Sequence, residues 1–248
     1  MIRWVIKGLQ TGIVTTPYPE KQDNTLGITP GLPKGLGGRD FPEDLRLRCP
    51  TGALVKTENG IDVEYERCIH CYRCARDIKE PVPWKADFEW ARMKDGSDVF
   101  PKAFRSSVHI RVLDAGDCGA CINELKLLNN PFYNMHRLGF FITPTPRKAD
   151  LLIVVGPVTE HMKLPLLKAY EAMPAPKRVM AVGACALCGG VFGPDFVTYA
   201  GVSEILPVDA EVPGCPPPPL AILHGLLTVT GRNTVFSDVH TPAAPEQM

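Results

Sequence analysis

The apolar positions of this chain follow two rhythms. From residue 108 onward, short aliphatic runs alternate with longer stretches that are apolar on one side. Val108 to Leu113 reads as a strand, and a helix opens at Cys118 carrying Leu125, Leu127 and Leu128. Leu151 to Val155 is almost purely aliphatic, the mark of a parallel strand buried on both faces, and it ends in Gly156-Pro157. Thr159 to Met173 predicts a helix with Met162, Leu166, Ala169, Tyr170 and Met173 on one side. Pro165 within it predicts a kink or a late start. Arg178 to Val182 gives the next strand, Glu204 to Val208 a weaker one, and Leu220 to Thr228 a last helix that is apolar on most sides. Such alternation predicts an α/β fold over residues 108–232, a flavodoxin-like doubly wound parallel sheet.

Upstream the pattern changes. Met1, Ile2, Trp4, Val5, Ile6 and Leu9 are apolar and Arg3 and Lys7 basic, which suits a short amphipathic helix. It lies on a membrane surface or a partner, or it packs on its own domain. Residues 11–44 carry many Pro and Gly and few large apolar residues, so 1–44 reads as a helix followed by an extended arm that binds a partner. Residues 45–107 read as a small α+β ferredoxin-like domain with a linker. In it, Ala53 to Lys56 and Ile61 to Tyr65 form strands around the turn Glu58-Asn59-Gly60. The aromatics of the linker, Trp84, Phe88, Trp90 and Phe100, are expected to pack this unit onto its neighbour. Residues 233–248 form a tail.

Composition narrows the function. The 248 residues carry 27 basic and 27 acidic side chains, so bulk charge gives no reason to expect nucleic acid. Neither a secretory leader, a twin-arginine signal nor a membrane-length apolar run is evident, which predicts a cytoplasmic location. Nine cysteines in that compartment point to metal or redox chemistry rather than disulfides.

The cysteines fall into two sets. Cys68-Ile69-His70-Cys71-Tyr72-Arg73-Cys74 puts three thiolates in one tight loop, able to cap three corners of a cubane, and the distant Cys49-Pro50 closes the fourth. The pattern resembles bacterial two-cluster ferredoxins with one cluster deleted. The missing ligands would fall at Arg39, Pro42, Leu45 and Ile78. A zinc site is the alternative, although zinc favours two C-x-x-C pairs. The second set is Cys118 and Cys121 after the strand 108–113, Cys185 after 178–182, and Cys215 within Pro213-Gly214-Cys215-Pro216-Pro217. Loops beyond the carboxyl ends of parallel strands gather functional groups, so three loops can bring four thiolates to one iron–sulfur cluster. Gly116, Gly119, Gly183 and Gly214 let the backbone approach it. Cys188 reads as a buried free thiol beside this site, and an alternative ligand is the second reading. Glu124 forms an ion pair on its helix or relays protons near the cluster. His70, His109, His136 and His161 show no metal-ligand spacing and are expected to take ordinary polar or packing roles.

Residues 111–227 closely resemble the small, electron-transferring subunit of membrane-bound, complex I-related group 4 NiFe hydrogenases of the formate hydrogenlyase type. The resemblance rests on Asp114-Ala115-Gly116-Asp117-Cys118 with Cys121 and Glu124, Pro146-Arg147-Lys148-Ala149-Asp150, Gly156-Pro157-Val158-Thr159, Tyr170-Glu171-Ala172-Met173-Pro174, and Val208-Asp209 with the Pro-Gly-Cys-Pro-Pro segment. Lys7-Gly8-Leu9-Gln10-Thr11-Gly12, Tyr18-Pro19 and the cysteine triplet resemble the ferredoxin-like subunit of the same complexes, so the chain looks like a fusion of the two. The resemblance implies two 4Fe–4S clusters, one on Cys49, Cys68, Cys71 and Cys74 and a proximal one on Cys118, Cys121, Cys185 and Cys215. It implies a proton path at Glu124 and an oxidoreductase subunit at the cytoplasmic face of the membrane, held peripherally. The implied partners are a NiFe-type large subunit, membrane-embedded complex I-like subunits, and a ferredoxin or formate dehydrogenase-type donor. The sister branch, a quinone- or ferredoxin-linked oxidoreductase without hydrogenase activity, is the alternative. It has adjacent cysteines where this chain has Cys118-Gly119-Ala120-Cys121.

Overall fold

The structure, a computed structural model, describes residues 2–23, 25–37, 43–58, 60–76 and 81–232. Arg39, Pro42, Asn59, Ile78 and the tail 233–248 lie outside the described residues.

In chain order the elements are α1 (Ile2–Thr11), β1 (Leu32–Pro33), β2 (Leu36–Gly37), α2 (Glu43–Leu47), β3 (Leu54–Thr57), β4 (Gly60–Val63), β5 (Trp84–Lys85), β6 (Arg92–Met93), β7 (Val108–Asp114), α3 (Ala120–Leu127), β8 (Phe140–Ile142), β9 (Leu151–Val155), α4 (Glu160–Ala172), β10 (Arg178–Val182), α5 (Ala184–Cys188), β11 (Ala210–Val212) and α6 (Pro219–Val229). The main sheet runs β6-β11-β10-β9-β7-β8. Its strands from β7 onward are mutually parallel, and β6 pairs antiparallel at the edge. Numbered from β7, the parallel order is 2-1-3-4-5, the flavodoxin-like order with its switch point between β7 and β9.

Alternate residues of β9 build two cores. Leu151, Ile153 and Val155 join Leu125, Leu223 and Leu226 on one face. Leu152 and Val154 join Leu166 and Val179 on the other. All five strand residues are fully buried, because helices cover both faces. Helix α4 starts at Glu160 rather than late, and Pro165, its sixth residue, lies inside it, where the missing N–H removes one bond to the carbonyl four residues back.

Two parts of the sheet differ from the sequence expectation. Residues 204–208 do not form a strand. Val202–Glu204 winds into a 3-10 turn and Pro207 cannot donate to a ladder, so Leu206 and Val208 are buried as loop residues. The strand forms a little later, where Ala210, Glu211 and Val212 pair with Met180, Ala181 and Val182. The linker, in turn, supplies a strand: Arg92 and Met93 pair with Glu211 and Ala210. Phe88, Trp90 and Phe100 are buried in the main core.

The small unit is a three-stranded sheet, β2-β4-β3, over a core of Leu45, Leu54, Ile61, Val63 and Val82. Leu45, one of the positions of the deleted ligand set, is an apolar core residue here. The arm was expected to bind a partner, yet its described part binds this chain. Thr16 N–H donates to Phe132 O at 2.8 Å and Thr29 Oγ1 donates to Asp87 O at 2.5 Å. Arg137 holds the Thr16 and Tyr18 carbonyls, Tyr18 is buried against Phe88, and β1 pairs with β5. Backbone donors without a sheet of their own found partners on two neighbouring units. α1 is exposed along its described side chains, with Trp4, Leu9 and the following Ile13 at 71%, 80% and 93%, so it does not pack on its own domain.

Helix α6 lies close to the sheet because Gly225 leaves room. A Cβ there would stand 2.6 Å from Val212 Cγ2 and 3.0 Å from Met180 Sδ. Gly225→Ala should therefore destabilise the chain, since overpacking costs about 1–3 kcal/mol and helix propensity returns only about 1. A urea titration checks this, and an unchanged or higher midpoint would contradict it.

Candidate metal centres

The first thiol set is gathered by the loop after β4. Cys49, Cys68, Cys71 and Cys74 line one cavity with Tyr72 and Trp84. The loop achieves this through positive φ at two non-glycine residues, His70 (52°) and Tyr72 (59°), which flank Cys71 and turn successive sulfurs inward. Such conformations are uncommon outside glycine and persist where packing enforces them. Here Tyr72 stacks on Trp84 at 4.0 Å, and its hydroxyl donates to Pro30 O. His70 is buried edge-to-face between Trp84 and Trp90, at 6.0 and 5.4 Å. Ala53 N–H donates to Cys49 Sγ at 3.2 Å, as the backbone does to ligand sulfurs.

The second set sits at the carboxyl ends of the parallel strands. Cys118 and Cys121 follow β7 and open α3, Cys185 lies in α5 after β10, and Cys215 follows β11. The loops are stitched together by Gly183 N–H to Val212 O at 2.9 Å and Ala184 N–H to Gly214 O at 2.7 Å. At Gly183, with φ +93°, a Cβ would stand 2.6 Å from Cys121 Sγ. At Gly190 a Cβ would stand 2.6 Å from Cys185 Sγ. Glycine is required at both by close backbone approach to sulfur.

Sequence reasoning gave no role to Asp117, whose carboxylate lies among these thiols. Its Oδ2 accepts from Gly119 N–H at 3.0 Å and Ile122 N–H at 3.1 Å, so it ties down the loop between the first two cysteines. Asp114 Oδ1 likewise accepts from the Gly116 and Asp117 N–H groups. The signal was an Asx turn before a helix, readable from Asp-Ala-Gly-Asp but indistinct from any other turn.

Burial dominates the electrostatics. It pushes the Cys68 thiol from 9.0 up to about 12 and Cys185 to about 11, with neighbouring thiolates adding to the effect. It also raises Cys74, Cys121 and Cys215. Cys118 is exposed, so the second set opens toward its side. Cys188 Sγ donates to Ala184 O at 3.2 Å and Glu66 O at 3.4 Å, the contacts of a structural thiol bridging the two units. Glu124 is half-buried one helical turn beyond Cys121, and burial raises its pKa. Burial holds His70 down to about 4 and therefore neutral.

The donor chemistry fits an iron–sulfur cluster at each set. Thiolates are its ligands, and buried N–H groups beside it find acceptors in its sulfides. In the first set Trp84 Nε1 and both ring nitrogens of His70 are buried without a hydrogen-bond partner. The Trp84 N–H lies near enough to Cys74 to lower that thiol's pKa against burial. Among the described residues no group of His, Cys, Asp or Glu converges as a single ion requires.

These thiols make the metal-free chain sensitive to alkali. Above pH 9, the unfolded chain sheds thiol protons that the native chain retains, because the native pKa values are raised. The native state then binds more protons than the unfolded one, so stability falls as pH rises through that window and is intact below it. Metal loading displaces these protons and should remove this part of the decline. Urea midpoints of the metal-free and loaded chains, measured against pH, check it. Parallel profiles would contradict it.

Residues 118–229 match the family described as NADH ubiquinone oxidoreductase, 20 Kd subunit. Formate hydrogenlyase subunit 7 of Escherichia coli is 38% identical over 151 residues, which is 61% of this chain and 58% of that protein. The probable membrane-bound hydrogenase subunit mbhJ of Pyrococcus furiosus is 43% identical over 115 residues, 46% of this chain and 69% of that one. An NADH-quinone oxidoreductase subunit of Carboxydothermus hydrogenoformans is 38% identical over 143 residues, 57% of this chain and 77% of its own length. The chain thus spans somewhat over half of the formate hydrogenlyase protein and more than two thirds of the other two. With its thiols gathered at the strand ends of the matched region, this chain belongs to the NADH ubiquinone oxidoreductase 20 Kd subunit family, oxidoreductase subunits shared by complex I-related hydrogenases and quinone oxidoreductases.

Proposed function

We propose that this chain is the electron-transfer subunit of a membrane-associated NiFe hydrogenase complex. Cys49, Cys68, Cys71 and Cys74 hold one 4Fe–4S cluster, and Cys118, Cys121, Cys185 and Cys215 hold a second, proximal to a NiFe site in a separate large subunit. When bound, such clusters supply reversible one-electron transfer. The observation that carries the reading is the meeting of three strand-end loops around four thiols, with Gly183 fitted against Cys121 Sγ. The hydrogenase relatives and the C-x-x-C spacing of Cys118 and Cys121 support the hydrogenase branch.

The chain's own residues do the remaining work. Asp117 and Asp114 fix the 116–122 loop through its backbone N–H groups. Leu125 and Val182, packed in the core beside Cys121, keep water from that side. Cys118 faces outward, toward the large subunit in this reading. Glu124, with its raised pKa and partial exposure, exchanges protons near that face.

No described helix is long and apolar enough to cross a membrane. The exposed α1, with Trp4, Ile6 and Leu9 apolar and Arg3 and Lys7 basic, supports peripheral attachment at the cytoplasmic face. Membrane-embedded complex I-like subunits and a ferredoxin or formate dehydrogenase-type donor complete the assembly. A second reading, a quinone- or ferredoxin-linked module without hydrogenase activity, is favoured by the comparable match to the quinone oxidoreductase relative.

Iron and acid-labile sulfide analysis of the anaerobically purified chain should give about eight of each, the content of two cubanes. Zinc without sulfide would end the redox reading. Cys215→Ser and Gly183→Ala should each remove the proximal EPR signal and leave the other, whereas Cys188→Ser should keep both. Loss on Cys188→Ser alone would overturn the ligand choice. A co-purifying large subunit without two pairs of nickel-binding cysteines would exclude the hydrogenase branch in favour of the second reading.

A further inference from the structure

The two thiol pockets are joined through the protein at two places of different character. One is polar. Arg92 pairs with Glu66 and, at 2.8 Å, with Glu211, and Cys188 Sγ reaches Glu66 O. Glu66, Arg92 and Cys188 all line an open cleft between the units, so water reaches this contact. The other is aromatic and dry. His70 lies between Cys68 and Cys71 in the first thiol loop, and its ring meets Trp90 edge-to-face with centroids 5.4 Å apart. Trp90 Nε1–H donates to Pro213 O at 2.7 Å, two residues before Cys215 of the second thiol loop. Both rings are buried, and His70 has no hydrogen-bond partner to anchor it elsewhere.

We propose that Trp90, in contact with His70 and bonded to Pro213, is the side chain through which electrons cross between the two thiol pockets. The proposal rests on the two-cluster reading above and names its route. The physical reason is electronic coupling. It decays more steeply across gaps and water than through packed atoms, and a close-packed interior leaves no gap along this line. From the loop of Cys68 and Cys71 to the loop of Cys215, the path needs one ring contact and one hydrogen bond. The crossing is a single-electron exchange. With a cluster bound in each pocket, one would be oxidised as the other is reduced, with no bond formed or broken and no proton moved. Trp90 itself is a positioning residue that is neither consumed nor oxidised.

The test uses the full chain with both clusters loaded. A pulse of dithionite reduces it, and freeze-quench EPR follows how fast the two cluster signals equilibrate. Trp90→Leu should slow equilibration several-fold. Trp90→Phe, which keeps a ring and most of the packing, should slow it less. Arg92→Ala, which breaks the ion pairs of the polar contact, should leave it unchanged. Iron content and both midpoint potentials should stay at the parent values in every variant, which separates a lost route from a lost or altered cluster. In the metal-free chain, the Trp90 indole N–H should show slow hydrogen exchange by NMR, independently of any cluster. Equal rates in Trp90→Leu and parent would overturn the proposal, as would equal slowing by Arg92→Ala, which would mean that any loosening of the units has the same effect. Iron content short of two clusters in the parent would instead overturn the reading on which the route depends.

Discussion

The close approach of backbone to sulfur at Gly183 is the constraint around which the α/β domain is arranged. Cys121 Sγ occupies the space where any other residue would carry a Cβ. That position is maintained only if the ends of β7, β10 and β11 stay fixed relative to one another. The fully buried aliphatic residues of β9 and β10 provide the rigidity. The bonds from Gly183 to Val212 and from Ala184 to Gly214 transmit it to the loops. A parallel sheet suits this task because all its carboxyl ends lie on one edge, and the switch point between β7 and β9 opens a crevice there.

Burial of the thiols follows from the same arrangement and sets the state of the empty chain. Desolvation opposes the thiolate form, so without metal the raised pKa values of Cys68, Cys121 and Cys185 oppose charging them. Ligand binding supplies the positive charge that makes deprotonation favourable, which couples filling of the site to its geometry. Cys118 departs from the pattern by its exposure, and this gives the second pocket an open side. The first pocket has no such fully exposed thiol and is enclosed by Tyr72 and Trp84.

Much of this was legible in the sequence because it depends on local chemistry. Leu151–Val155 carries the mark of a parallel strand buried on both faces, which the structure bears out, and the glycines before Cys185 and Cys215 announced loops that carry thiols. The displaced strand was not legible. An apolar run at 204–208 predicts burial correctly, but whether Pro207 or the following residues enter the ladder depends on the register with β10. The fate of the arm was equally hidden. A Pro- and Gly-rich stretch signals that it lacks its own core, and whether it clamps a partner or its own chain is a tertiary fact, decided here by Arg137, Phe132 and Asp87. The histidine next to the cysteine triplet was read as a packing residue. It does pack, and what the sequence could not show is the identity of the rings on either side.

The segment 84–93 explains how a chain made of two cofactor-type units keeps them in register. A covalent tether raises the local concentration of one unit around the other but leaves orientation free. Orientation comes from contacts spaced along this one stretch. β5 pairs with the arm, Phe88 is capped by Tyr18, Trp90 reaches Pro213, and β6 extends the main sheet beside β11. The small unit is held to this stretch by Tyr72 stacked on Trp84, His70 packed against Trp84 and Trp90, and Glu66 paired with Arg92, so rotating it would break these contacts at once. A linker built into the arm, the core and the sheet edge in this way holds the two thiol pockets at a fixed separation.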